Sequence, residues 1–270
     1  MKFFRSRVRR TQPSPVIRAA ELHQAGRYAE AEAQARAVAR SRPDARGELL
    51  VALTLVTVAT GAQGRHAEAV TAYDEALSFC RESFGPDHLQ TLKLRSDRAQ
   101  QLASLGRYAE SETETEEIVR ATADATDEDT RLVAAAATNG LAYALNAQGH
   151  HVRAEALARD ALTRMTETHR VRLVLQLALA RSLNGQARHG EALAEATTAG
   201  ELHRALTEGR PGPEAGAVDL AAGTALLGLG RVAEARARAD AGHAACLAAF
   251  GPDHHRTQEA RELQARFDPA

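Results

Sequence analysis

Apolar and small side chains recur along this chain in fixed columns. With the phrase Gly26-Arg27-Tyr28-Ala29-Glu30-Ala31-Glu32 as origin, related phrases begin at Gly64, Gly106, Gly149, Ala187 and Gly230, at intervals of 38, 42, 43, 38 and 43 residues. Recurrence at a near-fixed period marks a repeat architecture. Four residues before each origin stand Leu22, Thr60, Leu102, Leu145, Leu183 and Leu226, a mostly leucine seam. Seven before it stand Ala19, Thr57, Ala99, Ala142, Ala180 and Gly223; five after it stand Ala31, Ala69, Ser111, Ala154, Ala192 and Ala235. Small residues in both columns let two helices approach closely. Each copy therefore reads as helix, turn, helix. The glycine ends the first helix because it takes positive φ without a Cβ clash. Glu30, Glu68, Glu110, Glu191 and Glu234 then fall in the first turn of the second helix, where the helix dipole favours them.

This pattern predicts first helices near 14–25, 46–62, 88–105, 129–148, 169–185 and 214–229. Second helices are predicted near 27–42, 65–83, 107–122, 151–166, 188–207 and 231–249. Linkers fall at Ser41–Asp44, Phe84–His88, Ala123–Asp129, Met165–Thr168 and Thr207–Pro213. One of them repeats: FGPDHLQT at Phe84–Thr91 returns as FGPDHHRT at Phe250–Thr257. Gly-Pro stops the outgoing helix, and the Asp or the Thr is placed to cap the next one; His88 and His254 are expected as local turn or cap residues. After the second copy, Arg256–Phe267 reads as the first helix of a seventh pair, covering the apolar face of pair six as a terminal cap.

Composition narrows the class. Apolar residues make up 44% of 270, aromatics only 4%, and Trp is absent, so the apolar share is chiefly Ala, Leu and Val, with Arg and Glu around them. These are mostly good helix formers. The formal charge of −1 is uneven: Lys2, Arg5, Arg7, Arg9 and Arg10 in the first ten residues leave −6 on the other 260. A neutral-to-acidic body argues against nucleic acid as the main partner. Residues 1–13 are expected to be a flexible basic tail and 14–270 the repeat domain; membrane-surface contact through Met1–Arg10 is a minor alternative. The basic start is not followed by an apolar h-region, and Leu49–Thr60 is too short to cross a bilayer, so a cytoplasmic location is expected. High Ala and Arg usage hints at a bacterial source.

The phrase, the small columns and the helix–turn–helix unit resemble tetratricopeptide repeats. The longer period and the FGPDH linker look like the roughly 42-residue variant of kinesin light chains and many bacterial repeat proteins. Thr138–Leu162 is the nearest stretch, and the resemblance covers about 15–267. It implies an all-α right-handed solenoid of six helix pairs plus a C-terminal capping helix, serving as a protein-binding scaffold. Departures are visible. Pro15 and Arg18 weaken pair one. Ala187 replaces the turn glycine of pair five, where Asn184-Gly185 offers a turn two residues earlier. The position two after the glycine reads Tyr28, His66, Tyr108, His151, His189 and Val232.

No catalytic or phosphate-binding motif appears, and no enzyme activity, cofactor or metal is expected. His150-His151 and His254-His255 are adjacent pairs whose side chains diverge on a helix, and neither HExxH nor a Cys–His cluster occurs. Cys80 and Cys246 stand four pairs apart, too far for a disulfide, and are expected as buried thiols. In related repeats the first helices line a concave groove that holds peptides. By register the inner face includes His23 and Gln24, Thr54 and Val58, then Lys93, Ser96 and Gln100, Asn139, Tyr143 and Asn146, Arg181 and Asn184, and Leu220 and Thr224. Asn both donates to and accepts from a peptide backbone, and Arg grips a carboxylate in two places. Lys93, Ser96, Gln100, Asn139, Tyr143, Asn146, Arg181 and Asn184 are therefore the candidate peptide contacts. They do not reproduce the carboxylate clamp of chaperone-binding relatives. The expected partner is a protein or peptide; the alternative is a peptide-sensing regulator acting on a separate signalling or transcription effector.

Overall fold

The computed structural model describes residues 14–41, 45–165, 170–208, 214–252 and 254–267. The basic tail, parts of the linkers at 42–44, 166–169 and 209–213, and residue 253 of the second FGPDH linker lie outside the described residues. The described residues form thirteen helices and no strand. They are α1 (Pro15–Gln24), α2 (Tyr28–Ser41), α3 (Arg46–Ala62), α4 (His66–Phe84), α5 (Leu89–Ser104), α6 (Tyr108–Ala121), α7 (Glu128–Ala147), α8 (His151–Thr163), α9 (Arg170–Gly185), α10 (His189–Thr207), α11 (Ala215–Gly228), α12 (Val232–Phe250) and α13 (His255–Ala265). The fold is an all-α helical repeat. Contacts divide the chain into two compact units, Met1–Cys80 and Arg81–Ala270. Unit 1 holds α1 to α3 and most of α4; unit 2 holds α5 to α13.

The turn inside each pair follows from its sequence. Gly26, Gly64, Gly106, Gly149 and Gly230 have φ between 73° and 82°. In five pairs the amide after the turn residue donates back to the carbonyl of the leucine column: Arg27 to Leu22, Arg107 to Leu102, His150 to Leu145, Arg188 to Leu183 and Arg231 to Leu226, at 2.8–2.9 Å. This six-to-one bond satisfies a carbonyl that the helix end would otherwise leave open. The same leucines are buried side chains, so one residue closes the turn and fills the core. The next residues start the second helix. Arg27–Glu30, Arg65–Glu68, Arg107–Glu110, Arg188–Glu191 and Arg231–Glu234 pair across its first turn. These bridges are half-exposed and add little stability.

Pair five corrects one expectation. The turn is made by Ala187 itself, at φ 57°, and Gly185 stays helical as the last residue of α9. Gly185 is occupied otherwise: the His151 ring lies where a Cβ on it would sit. His189 stands in the same relation to Gly228. His151 and His189 are thus packing residues, each seated on a glycine of the next first helix.

Both small columns are buried throughout their described Ala, Ser and Thr members, from Ala19 and Ala31 in unit 1 to Ala180, Ala192 and Ala235 in unit 2. In unit 1, Leu22 packs with Ala31 and Ala59, and Ala19 with Ala35, Val56 and Ala72. In unit 2 the core runs through Leu92, Ile118, Val133 and Ala137, then Leu141, Ala142, Leu145 and Ala154, then Leu179, Leu183, Ala192 and Ala225. It ends on Leu220, Ala239 and Cys246 packed with Ala260 and Leu263 of α13. That helix therefore packs on pair six and covers part of its apolar face. At both FGPDH linkers the histidine is the cap. His88 Nδ1 accepts from the Gln90 amide and His254 Nδ1 from the Arg256 amide, each at 3.2 Å, with each ring stacked on the linker Phe. Thr91 and Thr257 instead tie back to the Gly85 and Gly251 carbonyls at 2.8 Å.

A polar latch joins successive pairs. Glu32, Glu112 and Glu155 stand six residues after their turn glycines, and Gln63, Gln148 and Gln186 stand one before the turn residue that follows. Each Gln donates to its Glu at 2.7–2.8 Å. Arg36 and Arg65 add to Glu32, Arg153 to Glu112, and Arg159 and Arg188 to Glu155. Where this Glu is replaced by Leu193, the matching Gln position holds Leu229.

Candidate groove of the second unit

Successive first helices of unit 2 carry their open faces toward a cavity of about 580 Å³. Each helix contributes through one register. From α7 come Asn139, Tyr143 and Asn146; from α9 Val174, Leu177, Arg181 and Asn184; from α11 Ala217, Leu220, Ala221 and Thr224. Tyr108, at the start of α6, joins them, and α13 adds Arg256, Gln258, Glu259 and Glu262. Five of the eight predicted contacts, Asn139, Tyr143, Asn146, Arg181 and Asn184, come together here. Lys93, Ser96 and Gln100 of α5 lie outside the lining; Ser96 is buried, whereas Lys93 and Gln100 are exposed. His23, Gln24, Thr54 and Val58 belong to unit 1.

The two asparagines at the helix ends are engaged between repeats. Asn146 is 6% exposed; its amide donates to Ser182 Oγ at 2.9 Å and to the Ala178 carbonyl at 3.3 Å. Asn184 donates to the Ala221 carbonyl at 3.0 Å. Their Oδ1 atoms lie 3.0 and 3.2 Å from Nδ1 of His151 and His189. Each thus links its own pair to the next first helix and offers the cavity only an edge. Asn139 lines the groove beside them.

The chemical centre is Arg181. Its guanidinium lies over the Tyr143 ring, 5.0 Å from the centroid, and Nη2 donates to Glu259 Oε1 at 2.7 Å. Cation and ring attract through the ring quadrupole. Tyr143 is tilted against Tyr108, with ring centroids 6.4 Å apart. Burial disfavours the charge on Arg181, but Glu259 and Tyr143 outweigh it and raise the guanidinium pKa. Burial raises the Tyr143 phenol as well, opposed by the Arg181 charge. The cluster is thus a fixed cation on an aromatic bed, partnered by one carboxylate. It holds no nucleophile with an adjacent base. Among the described residues no group of His, Cys, Asp or Glu is arranged to hold a metal ion, and no helix is long and apolar enough to cross a membrane.

The contribution of α13 is absent from the predicted contacts, although the sequence carried a signal for it. The two FGPDH linkers align Thr257 with Thr91, and the same offset aligns Glu259 with Lys93 and Glu262 with Ser96. The cap therefore presents the same register as a true first helix.

A tetratricopeptide repeat family model matches residues 48–124. No curated protein matches the chain significantly. Among solved structures the chain is similar to the kinesin light chain nearly identical TPR-like repeats of Podosopora anserina, at 19% identity and TM-score 0.56, covering 72% of this chain and 95% of that one. It is similar to BtubC (BKLC) of P. vanneervenii at 18% identity and TM-score 0.58, covering 88% and 92%. It is also similar to Bacillus thuringiensis PlcR, crystallised with the peptide PapR7 and DNA, at 14% identity and TM-score 0.59, covering 79% and 72%.

Proposed function

We propose that this tetratricopeptide-repeat protein is a non-enzymatic protein- or peptide-binding scaffold whose binding face is the groove of unit 2. The observation that carries the reading is the cavity itself, about 580 Å³, with small and apolar side chains from α11 and the Tyr143–Arg181 cluster converging on it. Such a groove buries apolar side chains of an extended segment while a few polar groups fix its register. Asn139 is placed to bond a peptide backbone and Arg181 to bond a carboxylate. The PlcR fold likeness gives a precedent for a peptide ligand on a related scaffold. It also favours the second reading, a peptide-sensing regulator that acts on an effector carried by another chain.

The test is capture by the purified full chain from a synthetic peptide library, with wild type compared with Asn139→Ala/Arg181→Glu. Capture by wild type and its loss in the variant, with helicity and melting preserved, is the expected result. Equal capture by both removes this groove as the binding face. For the second reading, the peptide must also change the affinity of the chain for its effector.

A further inference from the structure

Building on the groove reading, we propose that the groove selects peptides with an acidic side chain, which takes the place that Glu259 of the chain's own α13 occupies on Arg181. The geometry that supports this is a contact between residues 78 apart in sequence. Arg181 lies on α9 and Glu259 on α13, and the first helix between them in the repeat order is α11. The residues α11 gives to the cavity include Ala217, Ala221 and Thr224. Their shortness leaves room for a carboxylate of α13 to meet a guanidinium of α9.

The two partners are held unequally. Arg181 is braced by Tyr143, whose ring lies under its guanidinium. Glu259 has Arg181 as its one hydrogen-bond partner among the described residues, through a single oxygen, and its side chain is 38% exposed. Its helix is anchored independently by the buried Thr257, Ala260 and Leu263. Rotation of the Glu259 side chain therefore clears the seat without undocking α13. A guanidinium carries five donors in a planar fork, and the bond to Glu259 uses one of them. An incoming carboxylate can engage two in parallel, which a monodentate contact cannot match. The fixed member is the cation, so the exchange favours an acid over a base.

The probes are synthetic heptapeptides randomised at six positions, with Glu, Gln or Lys fixed at the centre, each pool made with a free and with an amidated C-terminus. Retention is measured on the full chain as wild type, Glu259→Gln, Arg181→Gln and Asn139→Ala. The Glu pools should be retained over the Gln and Lys pools, whichever C-terminus they carry. Glu259→Gln should tighten the Glu pools about two- to fivefold, as expected for freeing a partner from a half-exposed ion pair. Arg181→Gln should erase the preference, and Glu259→Gln carries the test alone should that variant not fold.

Equal retention of the three pools, with binding weakened by Asn139→Ala, overturns acid selection and leaves the groove reading standing. Preference for free C-termini regardless of the central residue overturns it in favour of a chain-end carboxylate. An unchanged Glu pool on Glu259→Gln overturns the self-occupied seat. Retention of no pool by any form overturns the groove reading and this inference with it.

Discussion

Neutralising Glu155 measures what the latch between repeats contributes. Its side chain is 11% exposed and receives Arg159 at 2.8 Å, Gln186 at 2.7 Å and Arg188 at 2.6 Å. Burial alone pushes the carboxyl pKa up. Hydrogen bonds from Gln186, Arg159 and Arg188, with the Arg188 charge, outweigh burial and bring it from 4.5 down to about 2. At about 1.4 kcal/mol per pKa unit, that fall corresponds to at most roughly 3.4 kcal/mol. The two guanidinium side chains are 43% and 38% exposed, so solvent screening lowers the figure to about 1–2 kcal/mol. The pKa is depressed in the folded state, so this stability is fully present above the unfolded value of 4.5 and is lost as pH falls toward 2. At pH 3 less than half of it remains. Urea melts of wild type and Glu155→Gln, followed by circular dichroism at pH 7, 5 and 3, should therefore differ by about 1–2 kcal/mol at the two higher values and by less than half of that at pH 3. A variant as stable as wild type at pH 7, or a gap that stays constant down to pH 3, refutes the reasoning.

Three further outcomes follow from packing. Gly185→Ala should cost about 1–3 kcal/mol, because the new Cβ meets the His151 ring, and His151→Ala should recover much of it; additive urea midpoints in that double-mutant cycle would show the two sites to be independent. Ala187→Gly should raise stability by about 0.5–1 kcal/mol, since the alanine sits at φ 57° where glycine is unstrained, and a lower melting temperature would contradict this. Cys80 and Cys246 are buried, and burial pushes both thiols up, so a thiol-disulfide reagent at pH 8 should label neither in the native protein and both in guanidinium; rapid labelling of the native chain would disprove the assignment.

The repeat was legible because its columns are steric. A Leu, a Gly and two small residues at fixed offsets allow one way for two helices to meet, and the helix bounds follow within about three residues. The turn of pair five is ambiguous in the sequence for the same reason. A glycine at 185 suggests a turn until the ring of His151, placed 34 residues earlier, is seen to need the space. The complementary columns were in the sequence: a ring two residues after one turn, and a small residue two before the next. Asn146 and Asn184 line the cavity, but their amides are bonded to the next first helix. Their bonds to Ala178 and Ala221 are to backbone carbonyls, which carry no sequence signal. The latch glutamates resemble other surface acids in the sequence, and their Gln partners across the pair boundary set them apart.

Under the proposed groove reading, these contacts change where specificity in unit 2 would reside. The repeating residues build the scaffold, and even polar inner-face asparagines are drawn into it. The cavity-lining residues that depart from the repeat concentrate on α9, α11 and α13, and on the proposed groove reading they are the ones that discriminate between ligands. The helix α11 gives up polar side chains for Ala217, Leu220 and Ala221, and that loss shapes the groove as much as any gain. Longer side chains there would separate Arg181 from Glu259 and fill the cavity. The helix α13 meanwhile keeps the register of a first helix, so the element that packs on pair six also supplies charged groups to the groove. Removing α13 would therefore uncover the apolar face of pair six and strip Glu259 from Arg181 together. For that reason Glu259→Gln separates the capping role from the groove role, whereas a truncation cannot.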